Sequence, residues 1–269
     1  MRHILLSLAL VATGTGVALA GSGKSGKLEQ AVADPAREEV NRARDVYRHP
    51  VETLRFFGVK PGQKVVELWP GGGWYTEILG PYLNKRGKLY SAGLWPDGLN
   101  GTRALQERDP ARFGKIELAA FPAREGEPRV ADGSVDVVLT FRNVHNWRMG
   151  YKRDGQDYSA EAFRQIFAML RPGGVLGVVD HRLPEAADAE REKTSGYVKT
   201  STVKKLAADA GFRLAAESEV NANPKDSADW PKGVWTLPPV LALGDQDRAR
   251  YLAIGESDRM TLKFVKPRR

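Results

Sequence analysis

Few side chains in this sequence can move a proton near neutral pH, and two of them stand at informative places. His145 follows the apolar run Val135–Phe141, inside Arg142-Asn143-Val144-His145-Asn146-Trp147. His181 follows the apolar run Val175–Val179, inside Asp180-His181-Arg182. Imidazole is the side chain that titrates closest to neutrality. A histidine with a carboxylate to orient or charge it has the composition of a general base, with His145 or His181 as the base and Asp180 as the partner. Satisfied structural groups at loop entries have the same composition, and the two readings weigh equally. Two histidines and a carboxylate also form a metal-ligand set. Nothing in the sequence fixes their mutual distance, and no metal is expected. Arg142 and Arg182 have the fork that grips an anion, although most such arginines are surface charges.

A second kind of chemistry is written in Val65-Val66-Glu67-Leu68-Trp69-Pro70-Gly71-Gly72-Gly73-Trp74-Tyr75-Thr76. A short apolar run ends in a carboxylate, a glycine turn follows, and a helical pattern continues to Leu83. Glycine lets the backbone turn tightly and approach a ligand, and the next helix points free N–H groups at it. A phosphate-cradling loop needs Lys after its last glycine, and Trp74 stands there. A dinucleotide loop using Gly71 and Gly73 needs Gly or Ala where Thr76 stands. The stretch resembles instead the S-adenosylmethionine loop of class I methyltransferases, with Glu67, Gly71 and Gly73 at the matching positions. Trp69 departs from that pattern, since the family usually has glycine there. Trp69, Trp74 and Trp147 read as flat walls for a ligand, or as ordinary packing.

These residues need a scaffold that brings strand ends together. The apolar runs predict strands at Lys64–Leu68, Lys88–Ala92, Ile116–Ala119, Val135–Phe141, Val175–Val179, Arg213–Val220 and Met260–Val265. Helical spacing falls between them at Trp74–Leu83, Asn100–Arg108, Ser159–Met169 and from Thr200 or Ser201 to Gly211. Such alternation predicts an α/β fold with a mostly parallel sheet and helices on both faces. Ligands of such sheets bind beyond the carboxyl ends of the strands, where strand order reverses. The glycine loop, His145 and His181 all follow strands, so that edge is the expected site.

Ahead of the sheet, Asp34-Pro35 reads as a helix N-cap and first turn. Val40, Ala43, Val46 and Tyr47 follow at helical spacing, and His49-Pro50 ends the helix. With Val51–Phe57, this predicts two N-terminal helices packed over the ligand site. Residues 222–259 interrupt the last two strands and hold Trp230, Trp235 and several prolines. A loop of that length is functional or disordered, and Val234, Leu237, Val240 and Leu241 favour an ordered excursion.

Residues 1–20 carry a basic start, an apolar stretch from Ile4 to Val17 and Ala18-Leu19-Ala20, the pattern of a secretory signal peptide. The expected location is therefore periplasmic or secreted, with no integral membrane segment after cleavage. Residues 21–33 read as a flexible linker and 34–269 as one domain. The absence of cysteine excludes disulfides and thiolate metal sites. A net charge of +8 is modest and dispersed, without interleaved aromatic and basic residues, so no nucleic-acid partner is expected.

The resemblance to class I S-adenosylmethionine-dependent methyltransferases widens over about residues 60–221 and 255–267. It rests on the glycine loop, Asp132-Gly133-Ser134-Val135-Asp136, Leu170-Arg171-Pro172-Gly173-Gly174 and Ala210-Gly211-Phe212, in that order. Asn143-Val144-His145-Asn146-Trp147 and Ser257-Asp258-Arg259-Met260 further resemble a bacterial group of exported predicted methyltransferases. The resemblance implies a Rossmann-like doubly wound sheet of seven strands with the last antiparallel, and S-adenosylmethionine at Glu67, Gly71, Gly73 and Asn143. Trp69 is included as a cofactor contact. It implies methyl transfer to a small molecule or an envelope component. An exported binding protein on the same scaffold is the alternative. Two departures stand out: Gly93 occupies the place of the usual ribose-binding acid, with Asp97 the nearest carboxylate, and Phe121-Pro122-Ala123-Arg124 lacks the acid often found after strand three.

Overall fold

Apolar runs buried on both faces form the centre of an open, largely parallel sheet. In the computed structural model, which describes residues 26–268, these are β1 (Lys64–Leu68), β2 (Lys88–Gly93), β3 (Glu117–Ala120), β4 (Val135–Phe141) and β5 (Leu170–Leu183). The two-residue β6 (Val198–Lys199) pairs with the far end of β5. β7 (Arg213–Ser218) and β8 (Arg259–Val265) complete the sheet. The order is β3-β2-β1-β4-β5-β8-β7. β1 to β5 pair in parallel, and β8 runs antiparallel to both β5 and β7. This is the expected Rossmann-like, doubly wound sheet with its last strand reversed. β6 is an addition, too short to leave a periodic signal.

Alternation along the strands sends side chains into two cores. Val66, Leu68, Val138, Leu176 and Val178 meet the helix Ser159–Met169 through Phe163 and Ile166. Val65, Val137, Leu139 and Val179 meet Leu54, Phe57, Ile78 and Leu79 on the opposite face. Strand order reverses between β1 and β4, which opens a crevice at their carboxyl ends.

The insertion between β7 and β8 is ordered, with a 3₁₀ turn at Gly233–Thr236 and a helix at Arg248–Ile254. Leu183, Tyr197, Ala228 and Val234 form a small separate core beneath it.

Several expectations change. The flexible linker does not extend to 33, because Lys27–Val32 is a helix that buries Leu28 and Ala31. Residues 1–20, read as a signal peptide, and 21–25 lie outside the described residues. The helix predicted from Pro35 is two short helices, Glu39–Arg42 and Asp45–Arg48. Asp34 turns locally onto Ala36 N, and the buried Arg37 binds Val32 O and Asp45, which pulls the chain out of one helical path. Val40 and Val46 are consequently exposed. β5 continues past Val179 through Leu183, so Asp180 and His181 are strand residues. Antiparallel pairing with Met260 and Arg259 extends the ladder that far. Among the described residues no helix is long and apolar enough to cross a membrane.

Candidate active site at the carboxyl ends of the strands

The glycine loop follows directly from β1. Trp69 has φ +48°, Gly71 +58° and Gly73 +86°. A Cβ on Gly73 would sit 2.5 Å from Leu105 Cδ1, so that position needs glycine for both space and conformation. A Cβ on Gly71 would meet nothing within 4 Å. Gly71 is thus required for its left-handed backbone while its Cα faces open space. Trp69 adopts the left-handed conformation that favours glycine, at a cost of roughly 1–2 kcal/mol. Its indole offsets that cost: Nε1 donates to Phe121 O at 2.9 Å, and the ring packs edge-on against Trp147 and Tyr151.

Asn143 bridges the crevice. Its Nδ2 donates to Leu68 O at the end of β1 and to Thr140 Oγ1 in β4. Two cavities meet at this bridge, since Trp69, Gly71 and Asn143 line both. The outer cavity, about 610 Å³, adds Leu94, Trp95, Asp97, Pro122 and Tyr151. The place of the missing acid is tight: a Cβ on Gly93 would sit 3.1 Å from Leu99 Cδ2 and 3.3 Å from Gly98 O, so those neighbours would have to give by a few tenths of an ångström. The carboxylate comes four residues later, from Asp97 in a 3₁₀ turn.

The inner cavity, about 350 Å³, is lined by Glu67, Tyr75, Arg142 and by Asn41, Arg44 and Arg48 of the N-terminal helices. Of the two segments expected to cover the site, the first does so through Glu38, Asn41, Arg44 and Arg48, whereas Pro50–Phe57 packs Leu54 and Phe57 against the sheet. Glu67 is buried, and burial pushes its carboxyl up to about 7 against a 2.7 Å hydrogen bond from Thr76 Oγ1 that favours the charge. Arg44, Arg48 and Arg259 all pair with one carboxylate, Glu256. Burial opposes ionisation of Glu256, yet the arginines hold its carboxyl down at about 2. Arg48 lies over the Trp74 ring at 4.7 Å, and its Nη2 is buried without a partner.

Beside this cluster the structure unites the three predicted catalytic residues. Asp180 Oδ1 accepts from His145 Nδ1 at 2.7 Å and from His181 N, and Oδ2 accepts from Val144 N at 2.6 Å. The short helix Val144–Arg148 starts where it can present that N–H and the His145 ring to β5. Because Asp180 accepts here, the proton of His145 sits on Nδ1 and Nε2 is left as the basic nitrogen. The His145 and His181 rings lie 4.9 Å apart. His181 Nδ1 bonds Ser257 Oγ at 2.5 Å. Burial, with His145 and nearby arginines, drives the His181 pKa far below its ordinary value, so this ring is neutral. Both histidines, Arg142, Ser257, Trp235, Leu237 and Pro238 enclose a third cavity of about 200 Å³ under the insertion.

His145, Asp180 and His181 offer ligand atoms within 4.8 Å of one another. Both Asp180 oxygens already accept hydrogen bonds, and Arg142, Arg259 and Arg48 place positive charge near His181. That field favours an anion over a metal cation. Arg142 and Arg182, similar in sequence context, separate completely. Arg182 is held by Asp258 and Glu219 and is structural. Arg142 has no hydrogen bond or ion pair for its guanidinium among the described residues. Trp74 donates to Asn41 O and closes the inner cavity, while Trp147 is fully buried packing. Sequence reasoning missed Arg44, Arg48, Glu256 and Ser257, whose spacing carries no pattern. The contacts of Arg48 and Arg44 with Glu256 span 208 and 212 residues of sequence and exist only in the fold.

No protein-family model matches the chain, and no curated protein matches it in sequence. Solved structures do. A SAM dependent methyltransferase from Aquifex aeolicus aligns with TM-score 0.55 and 15% identity over 83% of this chain and 93% of that one. CrArsM, an arsenic (III) S-adenosylmethionine methyltransferase from Chlamydomonas reinhardtii, aligns at 0.51 and 14%, over 91% and 75%. The [4+2]-cyclase SpnF aligns at 0.55 and 12%, over 85% and 81%. The likeness is one of fold.

Proposed function

We propose that the protein is an S-adenosylmethionine-dependent methyltransferase acting on a small acceptor held beneath the insertion. The observation that carries this reading is the pair of cavities joined across Gly71 and Asn143. The residues present fit the cofactor. An adenosyl group wants flat apolar walls and an acceptor for its hydroxyls, which Trp95, Pro122, Tyr151 and Asp97 offer. A methionine head carries an ammonium and a carboxylate, which Glu67 and the arginines Arg44 and Arg48 complement in charge. When bound, S-adenosylmethionine would supply an electrophilic methyl group to the acceptor heteroatom, with a neutral thioether as the leaving group.

The chain's own part is placement and proton removal. Positioning two reactants is worth much of a displacement barrier. His145 Nε2 takes the acceptor's proton, and Asp180 fixes the ring and balances the charge it gains. The insertion covers this pair and keeps water from the nucleophile. The fold likeness to two S-adenosylmethionine methyltransferases supports the reading. A fold shared with a cyclase does not by itself choose a reaction. Residues 1–20 make export part of the proposal, with a periplasmic small molecule or envelope component as acceptor.

The test is label transfer. Protein and methyl-labelled S-adenosylmethionine are incubated with a bacterial envelope extract. Label entering a product with wild type, and not with His145→Gln, supports the reading. No transfer by a protein that binds the cofactor counts against it.

A further inference from the structure

Arg142 is built at some cost and has no evident structural use. Its backbone sits at φ +64°, a region that non-glycine residues hold only where their surroundings impose it. Burial draws its pKa down to about 10, with Glu256 opposing and Arg259 and Arg44 adding to the effect. The groups whose charges reach it are Arg44, Arg48, Arg259, Glu256, Tyr75 and His181. Four arginines therefore share one glutamate. Arg142 is half-buried and feels Glu256, which lines the same small cavity, but its guanidinium makes no direct hydrogen bond or ion pair among the described residues. With four arginines to one carboxylate the site has an excess of positive charge and is arranged to receive negative charge.

The place of that charge follows from the walls. Arg142 lines both the inner cavity and the 200 Å³ cavity that holds His145. The smaller cavity lies below the roughly 300–1,000 Å³ of drug-sized sites. Trp235, Leu237 and Pro238 give it flat apolar sides. A neutral alcohol would leave Arg142 without an anion. A carboxylate would satisfy Arg142 but give His145 no proton to remove. A planar compound with a weakly acidic hydroxyl satisfies both.

We propose that this cavity binds a small phenol or enol, and that Arg142 holds the oxyanion formed when His145 removes its proton. In that step the O–H proton passes to His145 Nε2, and the electron pair of the O–H bond stays on oxygen. The imidazolium so formed donates from Nδ1 to Asp180. As a statement of the methyl acceptor, the inference rests on the methyltransferase reading. Formation of the oxyanion does not require the cofactor.

The experiment uses cofactor-free protein with 4-nitrophenol, whose phenolate has its own absorption band, and phenol as a smaller second probe. A pH titration reads the ionisation of the bound probe directly. The expected result is at least tenfold more phenolate on wild-type protein than in buffer at a pH below the probe's solution pKa. Arg142→Gln abolishes that gain, whereas Arg182→Gln, on a residue paired with Asp258 and Glu219, keeps it. A circular dichroism spectrum shows that each variant is folded. Binding of neither phenol, an unshifted or raised pKa of the bound probe, or an undiminished gain in folded Arg142→Gln each overturns the proposal. Cofactor titration is a separate measurement, so failure here leaves the methyltransferase reading standing.

Discussion

The outer and inner parts of the cleft are made from opposite materials. The outer cavity is backbone and flat side chains: a glycine loop, Leu94, Trp95, Pro122, Tyr151, and the exposed carboxylate of Asp97. Its pieces lie close to strand ends and depend on conformation. The inner part, with the small cavity beside it, is charge and proton chemistry. Arg44, Arg48, Arg142, Arg259 and Glu256 are gathered from three distant segments, and the Asp180–His145 pair stands beside them. The first kind of construction serves a ligand held by shape, and the second serves a ligand that must ionise. Under the proposed function, the adenosyl part of the cofactor lies in the outer cavity, its methionine head in the inner one, and proton removal in the small cavity beside it.

Five substitutions sharpen or break that division. The largest effect is expected at the proton acceptor. His145→Gln lowers methyl transfer by about 10²–10⁴-fold, the range for a positioned general base, while S-adenosylmethionine affinity changes little. Equal losses in turnover and cofactor affinity would move His145 into the cofactor site. Next is Glu256→Ala, which leaves Arg48 and Arg259 buried without their carboxylate. Breaking a buried ion pair costs about 3–5 kcal/mol, to be read from chemical denaturation. A loss under 1 kcal/mol would mean that the arginines relax into solvent and are not a fixed cradle.

Glu67 gives a prediction with a sign. Its folded pKa of about 7 lies above the ordinary unfolded value of about 4.3. Its contribution to stability is therefore fullest below pH ~4 and is lost as pH rises through about 7. Glu67→Gln has no such loss. The variant should gain on wild type by at most ~1.4 kcal/mol per pH unit between these two values, as followed by denaturation at several pH values. A cationic ligand next to Glu67 would reverse the ranking, since it favours the ionised carboxyl. The smallest effects compare the two arginines. Arg182→Gln breaks a partly exposed pair network and should cost about 1 kcal/mol or less. Arg142→Gln removes one of four arginines that share Glu256 and should leave the melting temperature equal or higher. A marked drop would give Arg142 a structural role.

Much of the fold was legible because it rests on local patterns. The strands of the centre are apolar runs bounded by turns, and Gly71 and Gly73 stand where the backbone turns left-handed. The adjacency of Asp180 and His181, and their position after a strong apolar run, pointed to the right edge of the sheet. The rest depended on partners remote in sequence. Val40 and Val46 look like a helical stripe, but burial of Arg37 against Asp45 turns the chain and exposes both. Asp180 and His181 extend β5 because β8 pairs with them, which no property of their own segment shows. Arg142 and Arg182 carry the same signal in sequence, and only their surroundings separate a free guanidinium from a doubly paired one. Trp69 appeared to contradict the glycine pattern, yet it occupies a glycine-type backbone with its indole tied to Phe121.

The most direct test of the central claim is calorimetric titration with S-adenosylmethionine and S-adenosylhomocysteine, using wild type and Gly71→Asn. Asparagine tolerates the left-handed backbone and places its side chain in the open space that Gly71 leaves. Wild type should bind both ligands with micromolar affinity, and a folded Gly71→Asn should lose that binding. Binding of neither ligand by well-folded wild-type protein would contradict it.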